Sequence, residues 1–171
     1  FNMSAQIAGP VFNRVWNTPD NGYAEKFKHT VEPFVTAGRT SAVNNFNRIV
    51  RIDGADTIVG NTTSFNYGFN NRLYAKRKIG RVSQAQEIVT LEISQSYYTN
   101  PNAASFDPRY ATSFGTAAPS NFSPIAVGLR AAPTTAFNTS ARAEVDSRYH
   151  QLRTLSVNSS YNWAGRIQTT A

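Results

Sequence analysis

The sequence lacks cysteine altogether, has few charged residues and contains no long apolar run. Without cysteine among the 171 residues, disulfides, thiolate zinc sites and cysteine nucleophiles are excluded from this segment. No apolar stretch approaches the roughly 20 residues that a membrane-spanning helix needs, so a helical membrane protein is excluded too. Only 16% of the residues are charged, and the polar character comes mainly from Asn, Ser and Thr. This composition suits β-structure and is unusual for a cytosolic enzyme.

Acidic residues are scarce as well. The chain has 10 acidic and 17 basic residues, for a formal net charge of +7. That charge fits a partner rich in phosphate or carboxylate: nucleic acid, an anionic membrane or an anionic glycolipid. The chain begins at Phe1 without an initiator Met or signal peptide and ends at Ala171 without a closing structural cue. We therefore expect a processed piece or a fragment of a longer protein.

What the sequence does have is alternation of apolar and polar residues, with almost no helical periodicity. In "TSFNYGFNNRLYAKRK", residues 63–78, Phe65, Tyr67 and Phe69 share one side of the alternation. The predicted strands lie near residues 3–14, 26–37, 63–76, 86–98, 122–132, 135–146 and 151–164. They are about ten to fourteen residues long, roughly twice the usual strand length of soluble sheets. The sequence therefore predicts one all-β unit over residues 1–171, an antiparallel meander forming part of a large transmembrane β-barrel.

The predicted connections alternate in length along the chain. Residues 16–23 (with the turn signal "PDNG"), 77–85 and 133–134 are short, whereas 38–62 and 99–121 are long. Such alternation is typical of a barrel with periplasmic turns on one rim and extracellular loops on the other. The sixth connection, Ser147 to His150, is short where this scheme predicts a long one.

Two further features bear on the strands. Aromatic residues gather near the predicted strand ends, as the interfacial girdles of a membrane barrel require: Phe12, Trp16, Tyr97, Tyr98, Tyr149, Tyr161 and Trp163. Pro10, Pro33 and Pro124 fall inside predicted strands and each removes a hydrogen-bond donor, so we expect bulges or weak pairing there.

Catalytic and metal-binding patterns are weak. His29 and Glu32 in "KHTVEP" are three residues apart, which places them on opposite faces of a strand. His150 is interpreted as a solvated turn residue. Asp53 and Asp56 in "RIDGAD" lack the rest of a calcium-loop ligand series and suit a loop with Asx turns. Without a nucleophile elbow, phosphate loop or dinucleotide fingerprint, we predict no enzyme, no cofactor and no metal site.

A basic run raises the alternative of nucleic-acid binding. Lys76, Arg77, Lys78 and Arg81 lie close together, and aromatic strands can stack bases. These basic residues fall in a predicted connection, however, where a charged hairpin tip is the ordinary outcome. The apolar stripe is also continuous enough to require hydrocarbon or a core. We therefore predict no nucleic-acid partner.

Several short motifs resemble the LptD (OstA) family of outer-membrane lipopolysaccharide-assembly proteins. They are "AGPVFNRV", "FKHTVEP", "RIDGADTI", "FNYGFNNRLYAKR" and "VTLEISQSYY", in the order and rough spacing of that family's barrel. The resemblance covers residues 5–98, and beyond residue 98 only the strand pattern agrees. It implies a mid-barrel segment of a Gram-negative outer-membrane translocon for lipopolysaccharide. The partners it implies are lipopolysaccharide, outer-membrane lipid, the plug lipoprotein LptE and the periplasmic Lpt bridge proteins.

The two sides of the alternation are then expected to meet different surroundings. Candidate lipid-facing residues are Phe65, Tyr67, Phe69, Leu91, Ile93, Val127, Leu129 and Val157. Candidate lumen-facing residues are Arg72, Glu92, Arg130, Arg142, Glu144 and Asp146. The common facing of these charges fits hydration of the lumen, contact with lipid A phosphates or contact with the plug lipoprotein. Two other functions stay open: a different outer-membrane barrel, such as a porin or receptor, and a soluble basic all-β binding module.

Overall fold

A computed structural model of the chain describes residues 1–45, 48, 50, 60–79, 81–101, 120–163 and 167–170. These residues form nine β-strands: β1 (Asn2–Ala8), β2 (Phe12–Asn17), β3 (Lys26–Thr40), β4 (Thr62–Ile79), β5 (Val82–Tyr98), β6 (Ile125–Ala131), β7 (Phe137–Asp146), β8 (Gln151–Trp163) and β9 (Ile167–Thr170). They make one sheet in the order β1-β3-β4-β5-β6-β7-β8-β9, and β2 also pairs with β3. Every pairing is antiparallel. The predicted all-β antiparallel meander is confirmed.

The N-terminal edge of the sheet is irregular. The strand predicted over residues 3–14 is divided into β1 and β2 at the cis peptide Gly9-Pro10, and both halves pair along β3. The backbone N–H of Gly9 donates to the carbonyl of Pro33 (2.8 Å). Three residues between Ala8 and Phe12 lie opposite two residues between Val31 and Phe34. This is a β-bulge at Pro10 and Pro33, where irregular pairing was predicted.

This bulge changes the facing of the residues that follow it. Strict alternation along residues 3–14 would place Met3 and Ile7 on the same face as Val11. Instead, Phe12 pairs with Val31 and continues that face, while Val11 lines a groove on the opposite side. Strict alternation misplaces Val11 because an extra residue in a strand exchanges the two faces.

Several predicted strand boundaries also differ from the structure. The connection predicted over residues 77–85 is wrong, because β4 continues to Ile79 and β5 begins at Val82. Lys76, Arg77 and Lys78 therefore lie in β4 and not at a hairpin tip. Strand β6 is shorter than predicted, and Phe122 makes only an isolated bridge to Tyr97. Strand β9 was not predicted.

The strand ends form two rims. At the turn rim the chain passes from β2 to β3, from β4 to β5, from β6 to β7 and from β8 to β9; at the loop rim it passes from β3 to β4, from β5 to β6 and from β7 to β8. In the first turn the Asn21 carboxamide oxygen accepts from the backbone N–H groups of Tyr23 (2.9 Å) and Ala24 (2.8 Å), an Asx-type arrangement. The loop-rim connections 41–61 and 99–124 are long and the turn-rim connections are short, whereas 147–150, on the loop rim, is short and departs from the alternation as the sequence indicated.

The described strands form a single layer with almost no core. Four hydrophobic residues are buried in the described part of the chain: Ala24, Ala75, Ile88 and Tyr98. Ala24, Ala75 and Ile88 form one small cluster close to the turn rim. A soluble sandwich buries one face of each sheet against a second layer. Among the described residues no such second layer covers this sheet.

Candidate functional site

The strand register divides the sheet into two faces. Residues directly opposite one another in antiparallel strands point to the same side. Phe69 pairs with Ile93, and Ile93 pairs with Val127, so these three define what we term the apolar face. The register places all of the candidate lipid-facing residues on it: Phe65, Tyr67, Phe69, Leu91, Ile93, Val127, Leu129 and Val157. Whether this face meets lipid stays a prediction.

The other side of the sheet, the polar face, carries the charged residues singled out in the sequence. Glu92 pairs with Gly128, and Gly128 pairs with Arg142, so both charges lie on this face. The same register places the complete set there: Arg72, Glu92, Arg130, Arg142, Glu144 and Asp146. That they line a lumen stays a prediction.

Large hydrophobic side chains of the apolar face are exposed across the whole width of the sheet. The exposed fraction is 74% for Ile7, 39% for Phe65, 38% for Leu129 and 58% for Val157. Monomeric soluble proteins rarely expose contiguous apolar patches beyond a few hundred Å², and larger ones mark protein or membrane contacts. Exposure of this kind is typical of a surface that contacts another protein or a membrane.

Aromatic side chains stack near both ends of the apolar face. Near the loop rim, the rings of Phe65 and Tyr97 lie 6.5 Å apart. Near the turn rim, the Trp16 and Phe27 rings lie 6.0 Å apart. Phe65 and Ala75, the partner of Phe27, are ten residues apart in β4. That separation is about 34 Å of strand, or about 26 Å at the barrel tilt of about 40°, which matches the apolar band of outer-membrane barrels.

One predicted girdle residue lies elsewhere. The side chain of Tyr98 is fully buried at the polar-face end of β5. Because neighbouring residues of a strand point to opposite faces, Tyr97 and Tyr98 could not both lie in one girdle.

A three-residue ion network occupies the turn-side half of the polar face. The carboxylate of Glu87 lies 3.9 Å from Arg72 and 3.6 Å from Arg130. By strict alternation Glu87 belongs on the apolar face. A bulge in β5, in which Ile88 is the extra residue opposite β4, moves it to the polar face. Sequence analysis missed Glu87 for this reason.

A second set of ion pairs lies toward the loop rim. Arg142 binds Glu144 at 2.8 Å, and Glu144 is 6% exposed. Asp146, 3% exposed, is bound by Arg148 at 3.1 Å and by Arg153 at 2.5 Å. Both arginines also lie over the ring of Tyr149, with Cζ 5.2 Å and 5.8 Å from the centroid.

Arg153, like Glu87, was missed by sequence analysis. It is the extra residue of a bulge in β8, opposite the step from Glu144 to Val145. The bulge brings its guanidinium to the polar face, beside Asp146. In both cases a bulge moves the residue to the polar face, where it binds residues of opposite charge. Alternation of the sequence alone does not detect such a bulge.

A polar groove lies between these two ion networks. Its volume is about 340 Å³, and Asn66, Glu92, Ser96, Gly128 and Arg142 are among its lining residues. Gly128 leaves the groove open, since a Cβ at this position would meet no atom within 4 Å. Amide, hydroxyl and charged groups in an open channel suit hydrated, saccharide-like or phosphorylated molecules, and no catalytic arrangement is seen among its described lining residues.

The remaining candidate residues do not converge on a site. His29 lies on the apolar face, where its Nε2 hydrogen-bonds Asn71 Oδ1 at 2.8 Å, whereas Glu32 lies on the polar face. His150 is an exposed turn residue with φ 52°. Asp53 and Asp56 lie outside the described residues. No cluster of metal-ligating side chains occurs in the part of the chain that the structure describes.

Comparison with known families identifies the chain. The sequence model of the family described as LPS transport system D, LptD, matches residues 40–170, from the end of β3 through β9. The chain belongs to the LptD family. The match to LptD starts later than the motif resemblance over residues 5–98 and extends through the strands where only the alternation agreed. LptD is a family of lipopolysaccharide transport in the outer membrane, not a family of enzymes.

Neither the curated proteins nor the solved structures gave a significant match to this chain. In the described residues, no helix has the length and apolar character to cross a membrane.

Proposed function

We propose that this chain forms part of the wall of an outer-membrane β-barrel translocon, which moves lipopolysaccharide to the outer leaflet of a Gram-negative cell. Membership of the LptD family supports lipopolysaccharide as the transported molecule. The observation that carries the wall assignment is the single-layer sheet with one exposed apolar face bounded by aromatic residues at both ends.

The two faces have different tasks in this proposal. Leu91, Ile93 and Leu129 on the apolar face contact acyl chains, whereas the polar face lines a hydrated lumen. An arginine facing lipid at mid-depth costs about 2 to 4 kcal/mol, while water in the lumen tolerates it. This difference explains why Arg130 and Arg142 lie on the polar face. We further propose LptE as the plug in the lumen and the periplasmic Lpt proteins as the source of lipopolysaccharide.

The transport role can be tested by photo-crosslinking in living cells. Benzoylphenylalanine is introduced into the complete protein in place of Gly128, whose polar-face position has room for a side chain. Newly made lipopolysaccharide is expected to crosslink to this position while transport is active and to disappear from it when transport is blocked upstream.

A probe at Leu129 is the matched control, because it is the next residue and lies on the apolar face. It should crosslink membrane lipid whether or not transport is active. If lipopolysaccharide never crosslinks at position 128, or does so equally in blocked cells, the proposed role of this chain in the wall of the translocon is wrong.

A further inference from the structure

The two faces of the sheet differ in their carboxylates. Every carboxylate within a described strand lies on the polar face: Glu32, Glu87, Glu92, Glu144 and Asp146. The apolar face carries three arginines in the described strands, Arg14, Arg39 and Arg77, and no carboxylate. Whatever covers this face therefore meets positive charge without any compensating negative charge.

These three arginines differ in their protein partners. Arg77 donates to the carbonyl of Pro133 (2.7 Å) and to Gln86, and Arg39 donates to Asn61 (3.0 Å). Arg14 is exposed and has no hydrogen-bond or ion-pair partner among the described residues. A guanidinium with five donors at the margin of an apolar surface needs an acceptor from outside the sheet.

The surroundings of Arg14 form a shallow site. Arg14 pairs with His29, and the next position on the same face is Trp16, paired with Phe27. Arg14, Trp16 and His29 together line a depression of about 410 Å³. The hydrogen bond from His29 to Asn71 orients the imidazole within it. The site thus combines a cation, a second polar ring and an indole.

The depth of the site selects its ligand. Trp16 belongs to the aromatic stack near the turn rim, and Arg14 lies only two residues further into the face. Two residues correspond to about 7 Å of strand, a distance that an extended arginine spans by directing its guanidinium to the interface. The anionic groups at a membrane interface are lipid phosphates, and guanidinium binds phosphate through paired hydrogen bonds.

We propose that Arg14, Trp16 and His29 bind the headgroup of an anionic phospholipid in the leaflet on the turn side. Arg14 binds the phosphate, His29 supplies a second polar contact and Trp16 packs against the glycerol region. This inference rests on the proposed function only in that the apolar face meets a bilayer, and it does not depend on which molecule is transported.

The experiment places a photo-probe beside the site without altering its lining. Benzoylphenylalanine replaces Phe12, which lies on the same face two residues from Arg14 and is 62% exposed. The complete protein is reconstituted in bilayers of equimolar phosphatidylethanolamine and phosphatidylglycerol. Mass spectrometry of the adducts is expected to show phosphatidylglycerol enriched about five-fold, the factor equivalent to about 1 kcal/mol per basic residue near an anionic surface.

Three variants separate this site from general attraction. Arg14→Gln should abolish the enrichment, and Arg14→Lys should retain most of it. Lys28→Gln removes the same charge from the position adjacent to His29 but on the polar face, and should leave the enrichment unchanged. Variants are compared only where heat-dependent gel migration shows a folded barrel.

Three outcomes overturn the proposal: equal crosslinking of both lipids in the parent protein, enrichment that survives Arg14→Gln, and crosslinking of position 12 to a protein instead of lipid. Each is distinguishable from failure of the transport role, because the probe at position 128 reports lipopolysaccharide independently.

Discussion

The guanidinium of Arg153 binds the carboxylate of Asp146 across a β-bulge, with Nη2 2.5 Å from Oδ2. Asp146 is almost fully enclosed and also receives the backbone N–H and the side chain of Arg148. Removing one partner of a buried ion pair leaves the other charge without compensation.

Asp146→Asn should therefore lower the free energy of unfolding by about 2 kcal/mol or more, below the full 3 to 5 kcal/mol of a deeply buried pair because both arginines are partly exposed. Urea unfolding of the folded protein in detergent, followed by gel migration, measures the change. Asp20→Asn, in an exposed turn, is the control and should have little effect. Equal losses in both variants would contradict a structural role for the Asp146 cluster.

Two glycines of the polar face should respond differently to the same substitution. A Cβ at Gly68 would overlap the carbonyl oxygen of Ile93 and lie 3.0 Å from the ring of Phe34, whereas one at Gly128 would meet nothing within 4 Å. Gly68→Ala is expected to cost about 1 to 3 kcal/mol. Gly128→Ala should be neutral or slightly stabilising because it restricts the unfolded chain. The temperature at which the folded gel band disappears distinguishes them, and a reversed order would count against the close packing of β4 on β5.

Arg77 and Tyr23 join separate connections at the turn rim. The guanidinium lies over the Tyr23 ring, 5.0 Å from its centroid, and both side chains donate to the carbonyl of Pro133. Arg77→Met should destabilise the folded protein by about 2 kcal/mol, the combined loss of a cation–π contact and a charged hydrogen bond. Lys78→Met, at the next and exposed position, should cost far less. Unfolding midpoints in denaturant provide the comparison, and indistinguishable midpoints would mean that the contacts of Arg77 contribute nothing.

The facing of the sheet can be tested within one strand. Leu91 pairs with Leu129 on the apolar face, and Ser94 pairs with Gly68 and Ala126 on the polar face. Leu91→Arg is expected to cost about 2 to 4 kcal/mol of membrane stability and to reduce the amount of assembled protein, whereas Ser94→Arg should be tolerated. Equal loss of assembled protein for both variants would contradict our assignment of the faces.

Alternation predicted the fold class and the facing of most side chains because the period of a strand is two and each face has one kind of environment. Alternation alone placed Phe65, Phe69 and Ile93 on the same face, as the strand register has them. The alternation fails where a bulge inserts a residue, and nothing in the sequence near Ile88 or Arg153 distinguishes a bulge from regular pairing. The prolines did mark the bulge at the N-terminal edge, since a residue without an N–H cannot continue the ladder.

Contacts between distant connections were also beyond the sequence. Tyr23 and Pro133 are 110 positions apart and meet only because β3, β4, β5 and β6 lie side by side. The run Lys76 to Lys78 was misinterpreted for a related reason. Its residues look like a hairpin tip by composition, yet they extend β4 and divide between the two faces, so that Arg77 alone reaches Tyr23.

The interruption at Gly9-Pro10 has a consequence for assembly. Strands β1 and β2 both pair with β3, but their registers differ by one residue. A regular strand without a bulge therefore cannot pair with β1 and β2 at the same time. A strand that pairs with this edge must either carry its own bulge beside Gly9-Pro10 or hydrogen-bond to only one of the two strands, β1 or β2. This edge therefore accepts only strands of matching shape, and it disfavours edge-to-edge pairing of sheets from different molecules.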